Sequence, residues 1–332
     1  MVSLEVKVEA ERLYKSLKRT NMFPEIELYS IAEKTLEINE LKKEKKAIIL
    51  AHSYQRPEII YGVADFVGDS YGLSKRAQEV KDAETILFAG VVFMAETAKI
   101  LNPSKKVVVP SREAGCSLAD SITAKDVRGL KAEYPGLPVV CYINTYADVK
   151  AESDIVCTSA NAERIVTRLP DHEIIFIPDK YMAQNLANST GKLLVPWDGE
   201  CIVHNQFGPD DIDTIKKQYP DTKILAHTEC TADVVGKADM AGGTGDMFRY
   251  IKGSPARTFF MITECGMTDR AKVEFPDKEF VGTCILCPYM KKNNLDNIIQ
   301  ALKEPRGEQM IDVPEDVRVR AEKAINRMFE FD

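Results

Sequence analysis

A chain of 332 residues, 45% hydrophobic and 29% charged, has the apolar content of a globular protein, and its length suits two or three domains. The formal net charge of −7, with Lys and Arg scattered, leaves out the basic stripe that drives affinity for phosphate backbones, so no nucleic acid is expected as a partner. No apolar run approaches the roughly 18 residues that span a bilayer, and the start MVSLEVKVEAERLYK lacks a signal-peptide core, so no membrane is expected and the chain reads as cytoplasmic.

The first twenty residues predict an amphipathic helix. Beyond them the chain repeats itself three times. Three apolar runs with polar ends, KAIILAHSY (46–54), PVVCYINTY (138–146) and TKILAHTEC (222–230), predict buried parallel strands. A second short strand opens in each repeat with a small residue and Asp, at Asp65, Asp154 and Asp239. Three residues after each second strand stands a hydroxyl, Ser70, Ser159 and Thr244, read as the N-cap of a helix. A third strand, a helix and a fourth strand follow: ETILFAG, VFMAETAKIL and KKVVVP in the first repeat, and equivalents in the others.

After each fourth strand comes a cysteine: Cys116, Cys201 and Cys287, separated by 85 and 86 residues. The next helix is predicted to end at Pro135, Pro220 and Pro305, which lie 19, 19 and 18 residues beyond those cysteines. Measured from Cys284 the last interval would be 21, so the repeat selects Cys287. The expected fold class is therefore α/β, three homologous parallel-sheet α/β domains in pseudo-threefold arrangement around a central metal site. The expected divisions are 1–112 (N-terminal helices and the first α/β unit), 113–198 (the second), 199–288 (the third) and 289–332 (C-terminal helices packing on the first unit).

Eight cysteines in a reducing compartment do not form a disulfide scaffold. Cys141 and Cys157, inside VVCYI and DIVCT, read as small buried hydrophobes. Cys116, Cys201 and Cys287 sit instead in loops rich in Gly and charge, before helices whose N-termini favour a thiolate. Three such thiolates fit either zinc with an open position or a cubane cluster with one iron lacking a protein ligand. Ligands of parallel sheets collect beyond the carboxyl ends of the strands. There stand His52, Tyr142 and His227, with Tyr54, Asn144 and Glu229 two residues further on the same face if each strand persists. His204 follows Cys201 closely, and Ser70, Ser159 and Thr244 offer hydroxyls at helix starts, where anions bind.

The segments AHSYQ (51–55), GDS (68–70), FMAETAKILNP (93–103), EAGCSL (113–118), YINT (142–145), GECIVH (199–204), AHTEC (226–230) and CPYM (287–290) resemble the quinolinate synthase family, over roughly residues 47 to 305. The resemblance implies a 4Fe-4S cluster with Cys116, Cys201 and Cys287 as ligands. It implies that iminoaspartate and dihydroxyacetone phosphate are condensed to quinolinate with loss of phosphate and two waters. His52, Ser70, Tyr142, Asn144, Ser159, His227 and Thr244 would bind substrate, with Glu229, Tyr54 and His204 as proton-transfer groups. Thr228 stands where the family usually has Pro, Gly243 and Gly245 where Ser is usual at one or both, and Tyr71 where Leu is usual. The competing readings are a zinc-dependent aldolase or hydrolase, and an iron-sulfur redox sensor. Cys284, with no counterpart in the other repeats, is expected not to be a ligand, and to be able to pair with Cys287 when no cluster is bound.

Overall fold

The computed structural model describes residues 2–18, 23–24 and 26–331; positions 1 and 19–20 of the expected N-terminal helix, and position 332, lie outside them. The chain divides into two compact units: Met1–Ala114 with Cys265–Lys278 and Leu286–Asp312, and Gly115–Glu264 with Glu279–Ile285 and Val313–Asp332.

In the first compact unit, α1 (Leu4–Leu17) and α2 (Glu27–Glu44) precede β1 (Ala47–His52), α3 (Pro57–Gly62), β2 (Phe66–Gly68), α4 (Ser70–Glu79), β3 (Thr85–Ala89), α5 (Val92–Leu101) and β4 (Lys106–Val108). Ser3 caps α1 by accepting from Val6 N–H at 3.2 Å. Val6, Ala10, Leu13 and Leu17 recur at helical spacing and are all buried, so α1 forms the expected amphipathic helix. Leu13 and Leu17 join Ile38, Ile49, Ile59 and Leu87 in one core, each such burial contributing roughly 1.5–3 kcal/mol.

The second compact unit holds α6 (Ser117–Asp120), α7 (Ala124–Glu133), β5 (Val139–Tyr142), α8 (Ala147–Ala151), β6 (Ile155–Cys157), α9 (Ala162–Arg168), β7 (Glu173–Ile177), α10 (Lys180–Thr190) and β8 (Leu193–Pro196). It continues with α11 (Pro209–Gln218), β9 (Lys223–His227), α12 (Ala232–Lys237), β10 (Met240–Gly242), α13 (Thr244–Gly253) and β11 (Thr258–Ile262). Next in sequence are α14 (Cys265–Glu274), β12 (Glu279–Phe280), α15 (Leu295–Lys303) and α16 (Glu315–Phe329). Of these, α14 and α15 belong to the first unit, and β12 and α16 to the second.

The three sheets have one order, β2-β1-β3-β4, β6-β5-β7-β8 and β10-β9-β11-β12, and every pairing is parallel. The repeated Asp explains the shared register. Asp65, Asp154 and Asp239 each donate a main-chain N–H to the carbonyl of Ile49, Val139 or Ile224, at 2.9, 3.1 and 2.9 Å. Each carboxylate accepts the N–H of that same residue, at 2.7, 2.8 and 2.9 Å. A side chain thus closes the first rung of the ladder in all three sheets, which is why the motif recurs.

The C-terminal segment departs from expectation. Helix α15 packs on first-repeat elements, α2 and β3, whereas α16 lies against α8 and β6 of the second sheet. Its buried stripe, Ala321, Ala324, Ile325 and Met328, finds its partner there. Among the described residues, no helix is long and apolar enough to cross a membrane.

Candidate functional site

Each sheet delivers its cysteine in the same way. The residue two positions before Cys116 accepts at Ala114 O from Val92 N–H, 2.8 Å, and the one before Cys201 accepts at Gly199 O from Lys180 N–H, 2.9 Å. Ile285, two before Cys287, is bridged to Glu264. Val92 and Lys180 begin the helices that follow the third strands of their sheets, and Glu264 immediately precedes the equivalent α14. A turn then follows in which the cysteine carbonyl accepts from the residue four further on: Asp120 to Cys116 (2.9 Å), Asn205 to Cys201 (3.0 Å) and Lys291 to Cys287 (3.2 Å). The helices α7, α11 and α15 each start eight residues beyond the cysteine and stop two residues before Pro135, Pro220 or Pro305. These registers all single out Cys287 over Cys284.

Gly199 is required for the approach, because a β-carbon there would lie 2.3 Å from Pro178 O and 2.6 Å from Ser121 Oγ. Ser117 Oγ donates to Glu200 O at 3.0 Å and accepts from Ile202 N–H at 3.2 Å, tying the loops of Cys116 and Cys201 together. Both are half-buried and in no disulfide, as is Cys287. At Cys201 burial, then the charge of Glu229, pushes the thiol up and outweighs the main-chain N–H groups of His204 and Val203, which favour the thiolate. Cys284 is exposed and disulfide-bonded whereas Cys287 is in no disulfide, so the bond of Cys284 is not the expected one to Cys287. Cys141 and Cys157 are fully buried, as core residues.

In the second compact unit, Glu229 is the centre of a buried cluster. Its Oε1 accepts a short hydrogen bond from Tyr142 OH and a longer one from Asn144 Nδ2, 3.5 Å. Its Oε2 lies 2.8 Å from His204 Nδ1, which is also 3.2 Å from Cys201 Sγ. The other ring nitrogen of His204 meets Thr263 Oγ1 at 3.0 Å, and the His204 and His227 rings stack at 4.5 Å. Burial opposes charge on Glu229, but His204 foremost, which lies beside it and hydrogen-bonds it, and the Tyr142 hydroxyl outweigh it and hold the carboxyl well below the usual range. Burial lowers His227 to about 4, so it is neutral at pH 7 and the hydrogen-bonded His204 is the closer partner of the carboxylate.

Neither Tyr54, Asn144 nor Glu229 continues a strand: β1, β5 and β9 end at His52, Tyr142 and His227. In the first and third repeats the chain turns back on the imidazole. Tyr54 N–H donates to His52 Nδ1 at 3.2 Å, and Glu229 N–H donates to His227 Nδ1 at 3.3 Å. His52 and Tyr54, in the first compact unit, also meet edge to face at 4.6 Å.

The hydroxyls are not the caps expected of them. Asp69 caps α4 and accepts from Gly72 N–H at 2.7 Å, leaving Ser70 as the first helical residue. Thr244 likewise begins α13 after Gly243, and Ser159 precedes the Asn161 cap of α9. Ser159 adjoins the turn before Thr244, because a β-carbon on Gly243 would lie 2.5 Å from its Oγ. The departure at Gly243 thus has a local reason.

Sequence reasoning missed Thr263 and Asp179. Asp179 is fully buried and caps α10 by accepting from Met182 N–H at 2.8 Å, and burial and the charge of Glu229 push its carboxyl up from the usual range. Their signal was positional, since both follow the third strand of their sheet. As a donor set, Cys201, His204 and Glu229 have ligand atoms within 4.8 Å of one another, a group able to hold a metal ion. Soft thiols at Cys116 and Cys201, in loops tied by Ser117, fit a thiophilic metal or cluster.

The family profile described as "Quinolinate synthetase A protein" matches residues 36–330. The chain is 48% identical over 291 residues to a quinolinate synthase of Xylella fastidiosa (strain 9a5c), covering 88% of this chain and 85% of that one. It is 45% identical over 323 residues to quinolinate synthase 2 of Mesorhizobium japonicum (97% and 98% covered), and 46% identical over 324 residues to the quinolinate synthase of Agrobacterium fabrum (97% and 92%). A match of this extent, on a chain whose three sheets repeat one design, means that the protein belongs to the quinolinate synthetase A protein family.

Proposed function

We propose that this enzyme of NAD biosynthesis makes quinolinate by condensing iminoaspartate with dihydroxyacetone phosphate, releasing phosphate and two waters. The observation that carries the reading to residue level is the buried Glu229, ionised among Tyr142, Asn144 and His204 and next to Cys201. Such a cluster suits repeated proton transfers on small anionic substrates.

The cofactor in this reading is a 4Fe-4S cluster held by Cys116, Cys201 and Cys287, whose iron without a protein ligand would supply Lewis acidity toward a substrate oxygen. Support for Cys287 comes from its shared register with the other two cysteines. Glu229 accepts hydrogen bonds from its neighbours in the resting enzyme, so it becomes an effective base when substrate displaces one of them. His204, joined to both Glu229 and Thr263, relays a proton with it, and Tyr54 serves as a second acid. His227 and His52, whose Nδ1 atoms accept main-chain N–H groups, carry their proton on Nε2 in the neutral form and donate from there to substrate oxygens. Tyr142 and Asn144 orient the substrate, while Ser70, Ser159 and Thr244 at helix starts take carboxylate or phosphate oxygens.

The test is metal and sulfide analysis of anaerobically purified protein. The reading expects about four irons and four acid-labile sulfides per chain. One zinc and no sulfide would favour the zinc-dependent alternative, to which the Cys201, His204 and Glu229 set lends its own support.

A further inference from the structure

In the first compact unit, the turn that carries Cys287 is fastened to the loop that carries His52 and Tyr54 by side chains with no role so far. Gln55 is fully buried, and its Nε2 donates to Met290 O at 3.2 Å and contacts Met290 Sδ at 3.4 Å. Next to it, Arg56 Nη2 donates to Lys291 O at 3.1 Å. In return, Lys291 Nζ donates to Tyr54 O at 2.5 Å. Three consecutive residues of one loop thus bond two consecutive residues of the other. Lys291 also donates its N–H to Cys287 O, so the fastening reaches the cysteine through a single turn.

We infer that Gln55 is a positioning residue that makes the 52–56 loop and the 287–291 turn one body, so that the placing of Tyr54 and the holding of Cys287 depend on each other. This rests on the ligand role proposed for Cys287. A buried amide that donates to a main-chain carbonyl leaves that carbonyl unsatisfied when it is removed, which is costlier than losing an exposed contact. Methionine has the length of glutamine and none of its donors, so Gln55→Met removes the bond while filling the space.

The experiment compares hydrogen exchange in the metal-free full-length chain and iron release from the loaded enzyme. In metal-free Gln55→Met, amides at 287–292 should exchange roughly five- to tenfold faster than in the wild type, with the unfolding midpoint lowered by no more than about 2–4 °C and the β3 amides that exchange through local opening unchanged. Loss of one net hydrogen bond gives that factor. The loaded variant should release iron to a chelator faster by a similar factor. Arg56→Ala, which removes the neighbouring bond from a less buried side chain, should move the same amides in the same direction. Unchanged exchange at 287–292 in both variants would overturn the inference, as would loosening spread evenly over the unit. If the wild type bound no iron and sulfide, the cofactor reading would fall, while the metal-free exchange would still decide whether Gln55 couples the two loops.

Discussion

The main-chain N–H of Glu229 points at Nδ1 of His227, 3.3 Å away, so the residue that supplies the carboxylate also sets the tautomer of its neighbour. His52 and Tyr54 repeat the arrangement in the first sheet. With Nδ1 committed as an acceptor, a neutral His227 holds its proton on Nε2, and nitrogen-15 spectra should report that tautomer at pH 7. A proton on Nδ1 would contradict the arrangement.

Burial lowers His227 to about 4 from the ordinary imidazole value of 6.5, which makes it a source of acid sensitivity. Between these values the unfolded chain binds a proton that the folded one does not, so stability falls as pH drops from 6.5 and the loss is complete near 4. The contribution is on the order of 3 kcal/mol. Denaturant unfolding of metal-free protein at pH 7 and pH 4.5 should show a larger drop in the wild type than in His227→Gln. Equal drops would mean that His227 titrates normally.

Glu229→Gln keeps the shape of the side chain and removes its charge. Turnover should fall about a hundredfold to ten-thousandfold with metal content intact, the range expected of a proton-transfer group. Tyr142→Phe removes one donor to the same carboxylate and should cost less. Steady-state rates of the two variants check this, and a near-normal Glu229→Gln would exclude the role.

Ser substitution at Cys116, Cys201 or Cys287 should abolish iron binding, while Cys141→Ser, Cys157→Ser and Cys284→Ala should keep it. Iron content and the visible charge-transfer band of each variant decide the assignment. A stable, full cluster in Cys201→Ser would remove it, and loss of iron in Cys284→Ala as complete as in Cys287→Ser would shift the third ligand.

Asp239 closes the first rung between β9 and β10 while also pairing with Lys216 and Lys223. Asp239→Ala should cost about 1–3 kcal/mol in denaturant unfolding, because Ile224 N–H loses its acceptor. Asp239→Asn keeps an acceptor and gives up mainly half-exposed ion pairs, so it should cost less than half as much. Equal costs would place the stabilisation in the ion pairs.

Much of this was legible because the chain states it three times. The Asp that opens each second strand, the cysteine after each fourth strand and the proline after each helix recur at fixed offsets, and the structure gives each offset a hydrogen bond or a helix end. The turns after β1 and β9 were not legible, since His-Ser-Tyr and His-Thr-Glu have the alternation of a continuing strand. What ends the strand is a main-chain N–H bonding an imidazole, and strand periodicity does not register such a bond. Ser70 and Thr244 were misread as caps because Asp69 and Gly243, one residue earlier, take that place. Placing α16 against the second sheet required knowing which apolar face was left uncovered, and that depends on packing far away in sequence.

The most direct test of the central claim is product formation by the anaerobically purified, iron-loaded enzyme. Supplied with iminoaspartate and dihydroxyacetone phosphate, it should form quinolinate and phosphate in equal amounts, with neither product when one substrate is omitted and none from Cys201→Ser. An enzyme with its full iron and sulfide that forms no more quinolinate than Cys201→Ser would contradict the account.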